Sequence, residues 1–218
     1  NLEGVVRTAL ASSFNNTGQT CSALTRLIVP REDLPRIEEL AAQYYDNYPV
    51  GSPENPESKV GPLAGRKQFD RVKDYIEKGV AEGAKLILGE IPENRAEGYF
   101  VKPVVFSEVK GDMIIAQEEI FGPVLSILPY DTKEEALSLA NGTIYGLDGA
   151  VFGPAEEAAE FASRMRTGRV YINGGRWDPN GPFGGYKQSG LGRESGKYGL
   201  EEYVEVKSVF DRNQRFAP

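Results

Sequence analysis

Histidine is absent from all 218 residues, and cysteine and tryptophan occur once each. Without imidazole, Ser-His-Asp and Cys-His catalysis are excluded, and most zinc sites go with them. No metal centre is expected. A single cysteine cannot close an internal disulfide, so a reducing, cytoplasmic setting is the expectation. No apolar run approaches the roughly 20 residues that a membrane span requires. Glu3 and Arg7 interrupt the N-terminus where a signal peptide would carry its apolar core. Basic residues are also in deficit: 25 Lys and Arg against 32 Asp and Glu give a net charge of -7. Neither nucleic acid nor membrane is an expected partner.

What is present is ordinary for a soluble chain large enough to bury a sizeable core: 40% hydrophobic and 26% charged residues. The chain opens at Asn1, without a methionine and already inside a helical pattern. We therefore expect a domain of something longer. Leu2, Val5, Val6, Ala9 and Leu10 recur at helical spacing, predicting a helix over 2–13. Leu24 to Val29 reads as a buried strand stopped by Pro30. Leu34, Ile37, Leu40, Ala41 and Tyr44 line one face of a second helix, and Phe69, Val72, Ile76 and Val80 mark a third ending near Gly79 or Gly83. Between them, Tyr48 to Gly65 holds Pro49, Pro53, Pro56 and Pro62. A loop that long serves as a functional surface or lid, or as a solvated connector.

Further strands are expected at 86–88, 99–106, 124–128, 149–152 and 169–172, with Pro103 arguing against a central place for the second of these. Asp131-Thr132 reads as the cap of a helix running to Ala140, and Pro154 opens a helix with Ala155, Ala158, Ala159, Ala162 and Met165 on one face. Strand-like alternation returns at Tyr203 to Val209. Strands alternating with helices predict an α/β fold, a three-layer α/β/α arrangement around a mostly parallel sheet. One main domain over 1–198 and a C-terminal strand arm over 199–218 complete the expected organisation. Gly190-Leu191-Gly192-Arg193-Glu194-Ser195-Gly196 misses the dinucleotide fingerprint G-x-G-x-x-G by one residue and follows no strand directly, so it is rejected as one.

The only cysteine sits in Phe14-Asn15-Asn16-Thr17-Gly18-Gln19-Thr20-Cys21-Ser22-Ala23-Leu24-Thr25-Arg26, a loop between a helix and a strand. A thiolate there can attack a carbonyl carbon and form a thioester that water later cleaves. A free cysteine is also often a small buried hydrophobe, and both readings stand at this point. Glu118-Glu119 before Ile120-Phe121-Gly122-Pro123-Val124 can likewise be a solvated edge before a turn. The same holds for Trp177, which can be a loop anchor.

Three stretches together carry more than each alone. The pattern F-x-x-x-G-Q-x-C-x-A-x-x-R, the Glu118 to Val124 segment, and Pro182-Phe183-Gly184-Gly185-Tyr186-Lys187-Gln188-Ser189-Gly190 follow in order. Their spacings are about 100 and then about 60 residues. The set resembles the aldehyde dehydrogenase superfamily, over essentially the whole chain. The resemblance implies that Cys21 attacks an aldehyde to give a thiohemiacetal, that hydride leaves to NAD or NADP, and that the resulting thioester is hydrolysed. It implies that the Cys21 backbone N–H faces the developing oxyanion. Glu119 would accept from the nicotinamide-ribose hydroxyls, with Phe121 beside the nicotinamide. Asn15, Trp177 and Phe183 would meet the substrate. The family's cofactor domain and its E-L-G-G-K-type general base lie before the cysteine segment, which here has only 20 residues ahead of it. We therefore expect the cysteine-bearing catalytic domain of an enzyme that works as a homo-oligomer, inactive as an isolated chain. A cysteine acyl-transfer enzyme (esterase or CoA-acylating) and a non-catalytic oligomerisation fragment are the alternatives.

Overall fold

The computed structural model describes residues 1–93 and 98–213. In chain order its elements are α1 (Leu2–Phe14), β1 (Arg26–Pro30), α2 (Leu34–Tyr45), α3 (Arg66–Ala81), β2 (Lys85–Leu88), β3 (Val104–Ser107), α4 (Ile114–Gln117), β4 (Val124–Tyr130), α5 (Lys133–Asn141), β5 (Asp148–Val151), α6 (Ala155–Arg164), β6 (Arg169–Ile172) and α7 (Gly196–Glu201). Four strands form one sheet in the order β1-β4-β3-β2, parallel except for β2, and β5 pairs with β6 in a separate parallel ribbon.

Strand periodicity explains the layers. Side chains alternate between faces, so Val104, Phe106, Val124 and Leu128 point one way and Val105, Leu125 and Ile127 the other. The first set packs with Phe69, Val72, Tyr75 and Ile76 of α3 and Ile115 of α4. The second packs with Val6, Leu10 and Phe14 of α1 and Leu34, Ile37 and Leu40 of α2, together with Leu27 and Val29 of β1. Both faces of the sheet are thereby covered, which is why its inner strands are mostly apolar, with Ser107 and Ser126 as buried exceptions. The expected three-layer α/β/α arrangement is present.

Several boundaries differ from the sequence reading. β3 is an inner strand despite Pro103, because the ladder begins one residue later: Val104 N–H donates to Pro123 O at 2.8 Å, and Pro103 removes no rung. The extended reading over 99–106 shortens to that strand. Val80, expected on the buried face of α3, is 41% exposed, and Tyr75 takes its place at 4%. On α6 only Ala158 is buried. Tyr203 to Val209 form no strand. A strand needs a partner edge to satisfy its backbone, and this segment meets none within the described residues. Residues 214–218 of the expected arm lie outside the described residues.

The long loop is more than a bare solvated connector. Its tip, residues 52–57, is exposed, but Val60 and Leu63 are buried and Tyr48 meets Phe14 edge to face at 5.1 Å. The second half of the loop braces the cysteine segment.

Candidate active site

α1 starts on Asn1, whose side chain accepts from the Gly4 N–H, and delivers the chain to a tight turn at Asn15–Gly18. Asn16, Thr17 and Gly18 all have positive φ (50°, 57° and 70°), so the chain reverses in a conformation that L residues rarely hold. Cross-bonds offset that cost. The Asn16 side-chain amide donates to Gln19 O, Thr17 Oγ1 to Gly61 O, and the Ala64 N–H to Gln19 Oε1. On the far side Ser13 Oγ donates to Leu24 O and Leu24 N–H to Ser12 Oγ, both at 2.8 Å. The loop is pinned at each end and Cys21 lies exposed at its apex.

Gly18 explains how the first two motifs meet. A Cβ at this position would lie 2.0 Å from Gly122 O and 2.6 Å from Pro123 N. Only glycine lets the cysteine loop rest on the Gly122-Pro123 backbone, and that contact brings the segment carrying Glu119 and Phe121 against the cysteine loop. Phe121 itself has φ 58°, an unfavourable conformation for a bulky residue. The Gln68 amide holds it by donating to both Phe121 O and Ile120 O, at 2.7 and 3.1 Å. Glu118 and Glu119 are both exposed, but the Glu118 carboxylate accepts from the Tyr75 hydroxyl, whereas Glu119 uses only its backbone oxygen, towards Arg71. Burial first, and the Glu118 bond second, push the Tyr75 hydroxyl up to about 12.

Two groups at this site are left free. Among the described residues neither the Glu119 carboxylate nor the Cys21 backbone N–H has a hydrogen-bond partner. An acceptor-only carboxylate and an unpaired N–H donor, on one cavity with an exposed thiol, are the groups that a diol and a developing oxyanion would engage. Cys21, Gly18, Thr20, Glu119 and Phe121 line one cavity of about 760 Å³.

The remaining candidates are dispersed. Phe183 is tied to Glu194 by a two-way backbone bridge and lies under the Arg169 guanidinium at 4.5 Å. Trp177 is 57% exposed and lines neither that cavity nor the second concavity described below. Asn15 is exposed and lines that second concavity, formed with Arg7, Tyr44, Tyr48 and Lys59, away from Cys21.

The motif cations turn out to hold the frame. Arg26 donates to Leu139 O and Ala140 O at the C-terminus of α5, and Lys187 donates to Asn141 O, the last residue of that helix, and to Thr143 O just beyond it. Both satisfy carbonyls that the helix leaves open, at its negative end. Burial lowers the affinity of each for its proton, and for Lys187 the nearby Arg166 and Arg26 add to that. Sequence reasoning also missed Asp148 and Arg169. They start the paired strands β5 and β6 and form a two-point ion pair of 2.5 and 2.6 Å, with the Asp148 side chain 4% exposed. The hydrogen bond to Asp148 holds the Arg169 guanidinium above its ordinary range, and the charge of Cys21 contributes least. Opposite charges at the heads of two strands were visible in the sequence; their pairing was not.

This geometry agrees with what comparison with known proteins gives. The chain matches the aldehyde dehydrogenase family over residues 1–209, and it belongs to that family. It is 47% identical over 211 residues to the 3-succinoylsemialdehyde-pyridine dehydrogenase of a Pseudomonas species, a match covering 95% of this chain and 44% of that protein. A putative aldehyde dehydrogenase of Staphylococcus haemolyticus is 46% identical over 198 residues, covering 89% of this chain and 42% of the other. Among solved structures, aldehyde dehydrogenase C of Pseudomonas syringae, in complex with NAD+ and octanal, superposes with a TM-score of 0.90 at 46% identity, over 95% of this chain and 43% of that one. An NAD-dependent aldehyde dehydrogenase of Sinorhizobium meliloti gives 0.91 at 37% identity, over 100% and 44%. The chain thus spans less than half the length of the relatives it matches.

Proposed function

We propose that this chain is the cysteine-bearing catalytic domain of an NAD(P)+-dependent aldehyde dehydrogenase, with Cys21 as nucleophile. The observation that carries the reading is the exposed thiol of Cys21 on one cavity with an unpartnered Glu119 carboxylate and Phe121. In this reading the Cys21 sulfur adds to the aldehyde carbon, and the carbonyl oxygen gains the electron pair that the Cys21 N–H stabilises. Such a donor is worth about 3 kcal/mol of barrier. The nicotinamide, when bound, supplies the acceptor for the hydride that leaves the thiohemiacetal carbon. Glu119 would hold the ribose hydroxyls at that end, with Phe121 against the ring. The thioester left on Cys21 is then cleaved by water. Complexes of relatives with NAD+ support the choice of cofactor, and the octanal complex supports an aldehyde as substrate.

We also read residues 199–218 as an oligomerisation arm. Tyr203, Val206 and Phe210 are each at least 88% exposed, an unusual cost for a segment that stays in water.

The test separates nucleophile from scaffold. With p-nitrophenyl acetate, attack by Cys21 releases one p-nitrophenolate per chain and leaves an acetyl thioester. We expect a stoichiometric burst that Cys21→Ser abolishes, and no Cys21-dependent NADH formation from propanal and NAD+ by the 218-residue chain alone. A burst of equal size in Cys21→Ser overturns the nucleophile assignment. Turnover to NADH at an ordinary enzyme rate overturns the reading of this chain as a part.

A further inference from the structure

The second concavity takes no part in the chemistry at Cys21. Arg7 lines it from α1, Tyr44 from the last turn of α2, and Asn47, Tyr48 and Lys59 from the chain that follows α2. Its volume of about 930 Å³ falls within the roughly 300–1,000 Å³ usual for small-molecule sites.

Charge marks this surface out. The chain carries 25 basic against 32 acidic residues, yet the lining of this concavity includes Arg7 and Lys59 and no carboxylate. Among the described residues the Lys59 ammonium, the Asn15 and Asn47 side-chain amides and the Tyr48 hydroxyl have no hydrogen-bond or ion-pair partner. Arg7 lies over the Tyr44 ring at 5.4 Å and meets Glu3 only at 3.8 Å, with both side chains more than half exposed. The Tyr44 hydroxyl donates to the same Glu3 oxygen. An ion pair of that length and exposure is worth little, so Arg7 is available to a better acceptor. Burial pushes the Tyr48 hydroxyl up, and the Arg7 charge offsets part of that, so the guanidinium acts across the concavity. Tyr48 in turn rests edge to face on the buried Phe14 ring.

We infer that this concavity is a binding site for an aromatic carboxylate, separate from the cavity at Cys21. Arg7 presents a planar fork that matches two carboxylate oxygens, and Lys59 adds a second, compact charge. Tyr44 and Tyr48 give ring surfaces to a flat apolar body, and the amides of Asn15 and Asn47 can donate to the remaining lone pairs. The site accepts the kind of anion that aldehyde oxidation yields and not the uncharged aldehyde. That last consequence rests on the reaction proposed above; the binding itself does not.

The experiment is calorimetric titration of the 218-residue chain with 2-naphthoate, without aldehyde or cofactor, so its outcome is independent of Cys21 chemistry. We expect saturable binding of one naphthoate per chain. Arg7→Gln and Lys59→Gln should each weaken it at least about fivefold, whereas Glu3→Gln, which frees Arg7, should tighten it. All three side chains are exposed, so these variants keep the fold. 2-Naphthamide, with the same rings and no charge, should bind at least about tenfold more weakly. Equal affinity for the amide, no saturable binding of naphthoate, or binding indifferent to both Arg7→Gln and Lys59→Gln overturns the proposal. Inorganic phosphate binding as tightly as naphthoate also overturns it, because the aromatic walls would then contribute nothing.

Discussion

β3 and β6 are both four-residue strands dominated by apolar side chains, yet every residue of β3 is buried and every residue of β6 only half-buried. β3 has a bonded partner on each side and a helix layer on each face; β6 has one partner and rests mainly on α6. Burial in this chain follows the number of neighbours an element has, more than its own hydrophobicity. The comparison extends to the site. Cys21, Glu119 and Phe121 sit where the fully layered half ends, and Phe183 and Trp177 belong to the half that is still short of neighbours.

Glycine substitutions break this comparison most sharply. Gly18 and Gly168 both have backbone where a Cβ would go, at 2.0 Å from Gly122 O and 1.7 Å from Gly184 O. Gly18 also has φ 70° and its neighbour is locked beneath the core, at Pro123 and Val124. We expect Gly18→Ala to cost about 3 kcal/mol or more in urea unfolding. Gly168→Ala should cost about 1 to 2 kcal/mol, because Gly184 is only half-buried and lies outside the layered core. Equal losses would mean that the two halves are equally rigid.

The end of α5 offers a smaller contrast, since each half sends one cation to it. Arg26→Met leaves the Leu139 and Ala140 carbonyls without their donor in a buried place, and about 1 to 3 kcal/mol of stability should go. Lys187→Met removes bonds at the more open Asn141 and Thr143 carbonyls, and should cost under about 1 kcal/mol. The ranking is read from urea midpoints at constant slope.

Alkaline pH sharpens the comparison further, because Tyr75 belongs to the layered half. Its hydroxyl ionises at about 12 in the fold against 10.0 in an unconstrained tyrosine. The unfolded chain therefore loses that proton first. The stability that Tyr75 contributes is complete below pH 10 and disappears as the pH climbs through 12. Tyr75→Phe should flatten the fall in stability between pH 10 and 12, and a slope unchanged from the parent chain would mean that neither burial nor Glu118 holds the proton on Tyr75.

These contrasts also say which parts were readable beforehand. The cysteine loop and the Glu118 to Val124 segment were legible because each is one continuous stretch whose turn chemistry is local. The helix cap at Thr132, which accepts from Glu135 N–H, was legible for the same reason. Pro103 misled because proline forbids a ladder bond only at its own position. The Asp148–Arg169 pair and the capping roles of Arg26 and Lys187 depend on which strands and helices end up adjacent. Strand order is decided by long-range packing, and nothing in the local pattern of Asp148-Gly149-Ala150-Val151 records it.

Trp177 gives the smallest effect and the clearest reading of the open half. It is the only tryptophan, 57% exposed, and free of ring contacts in the described residues. Trp177→Phe should change stability by less than about 0.5 kcal/mol, as exposed side chains without partners generally do. The emission of the parent chain should sit near that of tryptophan in water and be quenched freely by iodide. A blue-shifted, protected emission would mean that the glycine-dense stretch folds over Trp177 in solution. The half that lacks neighbours would then have found one within its own chain, and the contrast with the layered half would narrow at the residue that now shows it most plainly.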